Sequence, residues 1–212
     1  MASRFPDRRT AGSLLAEALS SYRSDSLVLL ALPRGGVAVG APIAQAWGVR
    51  LYPLIVRKLA SPAQPEVAFG AIAEGSGIVV DPRQMNALGL QAEEVEEILA
   101  AERAEMARRR ERYAVPGRPA LAERTVILVD DGMATGLTMI AGIRAVKREG
   151  AARVIAAIPV ASTEACGRVL AEGAECVCVL SPPELRSVGA WYEEFEQLGD
   201  EEVSKLLQLI PS

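Results

Sequence analysis

The stretch "VILVDDGMATGLT" (126–138) decides how this chain reads. Four branched apolar residues run without a break into two adjacent carboxylates, Asp130 and Asp131, and a loop of small residues follows. A continuous apolar run fits a strand covered on both faces, as strands of parallel sheets are. In an open α/β sheet, ligands bind beyond the carboxyl ends of the strands. The "GMATG" loop sits at such an end and turns into a helix starting near Thr135. Small residues let the backbone fold tightly, and the N–H groups of a helix N-terminus carry positive partial charge. The loop is therefore a nest for one phosphate group, with Thr135 and Thr138 as hydroxyl donors. The acid pair would repel that phosphate. It suits sugar hydroxyls, or a cation neutralising other phosphates, so the site asks for a phosphate and a diol on one molecule. A ribose 5-phosphate has that form.

Rival motifs do not fit. Gly136 is followed by Leu137, whereas a Walker A loop ends in Gly-Lys-Ser/Thr. No GxGxxG follows any strand-like run, and adjacent residues cannot flank a glycosidic bond as a catalytic carboxylate pair does.

Working outward, further apolar runs stand at 26–32 ("SLVLLAL"), 49–56 ("VRLYPLIV", in which Pro53 marks an edge or a bulge), 153–160 ("RVIAAIPV") and 174–180 ("AECVCVL"). Helical spacing separates them. Leu14, Leu15, Ala18, Leu19 and Tyr22 recur at that spacing near the N-terminus. Residues 135–149 and 163–172 each stop at a glycine, Gly150 and Gly173. The long stretch 91–113 has acids at its start and arginines at its end, complementing the helix dipole, and Glu105 and Arg109 stand at a favourable i, i+4 spacing. "GAIAEG" and "GIVVD" read as a hairpin around 75–77. The alternation predicts one α/β domain over 1–212, a doubly wound, mostly parallel sheet flanked by helices. Residues 57–75, rich in Pro, Gly and Ala, read as a mobile loop leading to the hairpin. A small hood is expected from the hairpin region, from the tail at 181–212, or from both.

Composition narrows the chemistry. Histidine is absent, which removes every Ser–His and Cys–His nucleophile system and all imidazole metal ligands. The three cysteines, Cys166, Cys176 and Cys178, form no CxxC pair and read as small buried hydrophobes. A net charge of −4 argues against a protein built to coat nucleic acid. No apolar run reaches membrane-spanning length and none near the N-terminus is of signal type, so the expectation is a soluble cytoplasmic protein.

"LPRGG" (32–36) closes the earlier strand. Its glycines allow close approach of a ligand, and Arg34 offers a planar fork for phosphate oxygens. Both loops follow strands, so both lie at the same rim of one sheet. Taken together, "VILVDDGMATGLT" and "PRGG" resemble the signature and the pyrophosphate loop of the type I phosphoribosyltransferases. "FPDRRTAGSLLAEAL" and "PEVAFGAIAEG" further resemble a bacterial subgroup of predicted phosphoribosyltransferases whose acceptors are poorly defined. The resemblance covers about residues 5–195.

It implies that Asp130 and Asp131 bind the ribose 2- and 3-hydroxyls of phosphoribosyl pyrophosphate (PRPP). Gly132, Met133, Ala134, Thr135 and Gly136 would wrap the 5-phosphate, with Thr138 just behind. Arg34, Gly35 and Gly36 would hold the pyrophosphate, and Lys58 matches a basic position that reaches it in some relatives. Magnesium would be bound through ligand oxygens, with Asp130 and Asp131 as its candidate protein ligands. The reaction implied is displacement of pyrophosphate by a ring nitrogen of a nucleobase-like acceptor, with Asp130, Asp131 and Lys58 in the catalytic set. Trp191 and Tyr192, with Phe195, are the aromatic candidates to stack on that acceptor, although their spacing also fits a helix packed on the core. The subgroup often carries histidines in its hood, and this chain departs from it there. The rival is a PRPP-sensing regulator that binds nucleic acid through "RRRER" (108–112) with little turnover; a solvated helix end is the simpler reading of that run. Related folds pair, so a homodimer or higher homo-oligomer is expected, with Leu206, Leu207 and Ile210 as apolar contributors.

Overall fold

The computed structural model describes residues 4–24, 26–65, 67–75 and 77–208. Its elements in chain order are α1 (Arg8–Ala18), β1 (Leu27–Ala31), α2 (Gly35–Trp47), β2 (Leu51–Pro53), β3 (Val56–Ala60), β4 (Ala68–Ala73), β5 (Ile78–Val80), α3 (Pro82–Ala87), α4 (Ala92–Arg112), β6 (Thr125–Val129), α5 (Leu137–Arg148), β7 (Arg153–Val160), α6 (Thr163–Ala171), β8 (Glu175–Leu180) and α7 (Asp200–Gln208). Five strands form a sheet in the order β2-β1-β6-β7-β8, every pair parallel. This is the α/β architecture expected from the alternating pattern.

β6 is the central strand, and Val126, Ile127, Leu128 and Val129 are all fully buried. Strand side chains alternate between faces, so one run supplies two cores. Val126 and Leu128 face α5 with Leu30, Val154 and Ala156, whereas Ile127 and Val129 pack with Leu29, Ile155 and residues of α1 and α2. Burying each such side chain stabilises by about 1.5–3 kcal/mol. Polar substitution at any of the four positions would therefore damage one core or the other.

Two expectations about strands need correction. Residues 49–56 do not form one strand. β2 ends at Pro53, which has no N–H to continue a ladder, and β3 begins at Val56 in a separate sheet. That sheet is antiparallel, β3-β4-β5, and contains the expected hairpin as β4 and β5; Ser76 lies outside the described residues. Nor is 57–75 chiefly loop. Arg57–Ala60 belongs to β3 and Ala68–Ala73 to β4, which leaves 61–67 as the connection, with Glu66 outside the described residues. The polar Arg57 and Lys58 stand side by side between buried Val56 and Leu59, so β3 lacks the strict alternation that marks a half-buried strand.

The helix α2 starts inside "PRGG" and carries Pro42, composition that hides a helix from a propensity reading. The helix expected to start near Thr135 begins at Leu137 after Gly136, whose φ of 80° favours glycine. α7 packs on α2 through buried Val203 and Leu207, so Leu207 is spent on this chain's own core; Ile210 lies outside the described residues. The three cysteines are half-buried free thiols against the α5–α6 side of the sheet, and burial pushes the Cys178 thiol up to about 11. No helix among the described residues is long and apolar enough to cross a membrane.

Candidate active site

The rim is assembled from strand ends. β6 stops at Val129, and Asp130 still reaches β7 through its N–H to the Ala157 carbonyl (3.3 Å). Met133 then bridges to Ala161, donating to Val160 O (2.9 Å) while its carbonyl accepts from Ser162 N (3.0 Å). Ser162 caps α6 and also donates from Oγ to Ala134 O (2.7 Å), and Arg168 Nη1 donates to Thr135 O (3.3 Å). The loop's carbonyls are thus tied back toward α6. Its N–H groups are not: among the described residues, those of Ala134, Thr135, Gly136, Leu137 and Thr138 find no acceptor in the chain. Five consecutive donors at the start of a 12-residue helix form an anion cradle.

A cavity of about 750 Å³ opens over this cradle. Asp130, Asp131, Gly132, Met133, Ala134, Thr135, Gly136 and Thr138 line it, as do Arg34, Gly35 and Lys58. Of the residues assigned to PRPP, Gly36 alone does not. It lies beneath the site, where a Cβ would sit 2.4 Å from Val129 O, so it permits α2 to pack against the end of β6. A Cβ on Gly35 would fall 1.9 Å from Asp131 Oδ2, which shows how closely the two loops approach.

The acids differ in their surroundings. Burial at the strand end, and then the neighbouring Asp131 carboxylate, raise Asp130 well above the usual carboxylate range; the Asp131 N–H and the charges of Lys58 and Arg8 oppose this. Asp131 accepts from Arg8 Nε at 2.8 Å. Arg8 is the residue the motif reading missed. Its guanidinium stacks 3.8 Å from the Phe195 ring centre, and its Nη1 donates to Glu196 O (2.9 Å). The only signal was its place in the "FPDRR" segment.

The aromatic candidates separate. Phe195 lines the cavity with Val188, Gln197 and Leu198, whereas Trp191 and Tyr192 do not. Tyr192 is 3% exposed, packed between Phe5 and Phe195, and its hydroxyl donates to the Asp131 carbonyl (2.5 Å). A ring enclosed in this way has no face for an acceptor. The segment is a single 3₁₀ turn, Gly189–Trp191, followed by extended chain that pairs with Phe5, so the i, i+4 spacing of Trp191 and Phe195 is not helical contact. Val188 covers Gly132, where a Cβ would meet its Cγ1 at 2.2 Å.

No group of three or more His, Cys, Asp or Glu side chains among the described residues is placed to hold a metal ion. The two adjacent carboxylates fit a divalent cation that takes most of its oxygens from a bound ligand.

Comparison with known proteins gives the chain's relatives. A family model described as "Phosphoribosyl transferase domain" matches residues 8–181. Two Mycobacterium tuberculosis proteins, provisionally named phosphoribosyl transferases, are 36% identical over 204 residues, which is 96% of this chain. The chain spans 46% of their length. The crystal structure of TT1426 from Thermus thermophilus superposes with a TM-score of 0.79 at 41% identity, covering 99% of this chain and 100% of that one. A Neisseria gonorrhoeae hypothetical protein solved with bound ppGpp shares the fold, with a TM-score of 0.52, 14% identity and coverage of 98% and 97%. The family model covers most of the sequence, and the chain belongs to the phosphoribosyl transferase family.

Proposed function

We propose that the protein transfers the 5-phosphoribosyl group of PRPP to a nitrogenous base and releases pyrophosphate. The observation that carries this reading is the row of five unpaired N–H groups directly beside Asp130 and Asp131. It offers the 5-phosphate and the diol their partners a few ångströms apart. Thr135 and Thr138 add hydroxyls on the phosphate side, while Arg34 and Lys58 place positive charge where the pyrophosphate leaves. Magnesium, when bound, would neutralise pyrophosphate, with Asp130 and Asp131 as its protein ligands.

Displacement at the anomeric carbon passes through an oxocarbenium-like state, so the protein's task is to position the reactants and balance charge. Asp131 holds the ribose and puts negative charge near the developing cation. With no histidine in the chain, proton removal from the acceptor falls to a carboxylate, water or the departing pyrophosphate. The hood in this reading is the tail around 188–198, whose Val188, Phe195, Gln197 and Leu198 line the cavity. Ser61, Pro62 and Pro65, which follow β3 and line the cavity, serve to exclude water.

The nucleic-acid reading gains nothing from the basic run. Arg109 lines the cavity, and Arg108 and Arg112 face Asp200. Incubation with PRPP, magnesium and a panel of purine, pyrimidine and pyridine bases, followed by mass spectrometry, should reveal one new nucleotide. Failure to bind PRPP or ribose 5-phosphate at all would defeat the proposal.

A further inference from the structure

The pyrophosphate side of the cavity holds more positive charge than the loop motifs supply, and its source is the long helix α4. Arg109 points into the same cavity as Arg34 and Lys58, with its side chain only 14% exposed. Glu105 orients it, accepting from Arg109 Nε at 2.7 Å. Glu105 is shared: Arg108 also bonds it in two places, and the two guanidiniums hold its carboxyl at about 2. Asp200, at the start of α7, is shared more widely. It lies 4.0 Å from Arg34 Nη1, 3.7 Å from Arg108 Nη2 and 3.7 Å from Arg112 Nε, and it accepts the Tyr113 hydroxyl. The charges of Arg34 and Arg109 both oppose the rise that burial and Asp200 impose on the Tyr113 hydroxyl.

The charge therefore does not close. Arg34, Arg108, Arg109 and Arg112 are served by two carboxylates, Glu105 and Asp200. Lys58 has no ion pair among the described residues, and it lines the same cavity as Asp130, whose rise its charge opposes. Elsewhere in the cavity Arg57 pairs with Glu102 and Arg8 with Asp131. A nearly buried guanidinium, already oriented by a carboxylate and turned toward an opening, is the arrangement that receives a doubly charged oxyanion in a fork.

We infer that Arg109 is a pyrophosphate-binding residue, completing with Arg34 and Lys58 a three-cation grip on the leaving group. The inference rests on the PRPP reading above and adds to it a residue from outside both loops. Asp200 and Tyr113 then act as positioning residues, holding Arg34 and the end of α4 in register.

The test compares two ligands by calorimetry. Ribose 5-phosphate occupies the cradle and the acid pair but lacks pyrophosphate, so it should bind Arg109→Gln as it binds the wild type. Inorganic pyrophosphate with magnesium, and PRPP, should bind that variant about tenfold more weakly or worse. Arg109→Lys keeps the charge without the fork and should fall between the two. Partial unfolding lowers both affinities by the same competent fraction, so the ratio of the two isolates the local effect. An unchanged ratio in both variants overturns the inference and leaves the PRPP reading standing. A wild type that binds neither ligand overturns the PRPP reading and this inference with it.

Discussion

The cradle loop and the clamp formed with the 192–196 segment meet at Asp131 but are built in opposite ways. The loop is local: residues 130–136 follow one strand, offer backbone N–H groups and are braced by the next strand and helix cap at Val160, Ala161 and Ser162. The clamp is assembled from side chains far apart in the chain. Arg8 reaches Asp131 across 123 positions and the Glu196 carbonyl across 188, and Tyr192 reaches the Asp131 carbonyl across 61. A backbone site needs small residues in a fixed order, which leaves a pattern in the sequence. A side-chain clamp needs only that distant residues converge, and convergence leaves none.

The largest effect that would probe this contrast is expected at the shared residue. Asp131→Asn removes the charge offered to the diol and to Arg8, and should weaken ribose 5-phosphate binding by about 1.5–3 kcal/mol. The fold should hold, because the tail keeps its bond to the Asp131 carbonyl; calorimetry at full wild-type affinity would contradict the diol assignment. Gly132→Ala comes next. It drives a methyl group into Val188 and should cost about 1–3 kcal/mol of stability, read as a lower Tm. An unchanged Tm would mean that the tail does not press on the loop.

Tyr192→Phe should cost about 1 kcal/mol, the typical worth of one hydrogen bond, with ribose 5-phosphate affinity reduced far less than by Asp131→Asn. Equal losses would show that the clamp and the loop are a single unit. A pH series gives the finest resolution. Because Asp130 is raised, the native state keeps its proton where the unfolded chain has lost it. The stability so contributed is full below the ordinary carboxylate range and is lost as pH climbs through Asp130's own raised range. Asp130→Asn should therefore raise the urea midpoint at neutral pH and flatten its pH dependence while weakening ribose binding. A midpoint that falls at neutral pH would show that the acid stabilises the empty site.

The same contrast explains what could be read in advance. The parallel sheet, the acid pair, the cradle and Arg34 follow from runs and loops contiguous in sequence, and the structure brings them to one cavity. The split at 54–55 was hidden because an apolar run looks the same whether it continues in one sheet or crosses into another. β3 was hidden because Arg57 and Lys58 break its pattern with charge. Tyr192 was read as a stacking face because spacing reveals the ring but not the phenylalanines that enclose it. Arg109 was legible as a partner of Glu105; its opening onto the cavity depends on how α4 lies against β3.

The pairing of Phe5 with Tyr192 has a consequence for how the protein comes into being. During synthesis the cradle can form once β7 and α6 as far as Arg168 have left the ribosome, since every group that braces it lies at or before Arg168. The grip on Asp131 must wait for Glu196. Contacts between such distant positions form late because the intervening chain must first be ordered. The cradle can therefore be complete in a nascent chain before residues 192–196 arrive to close over Asp131.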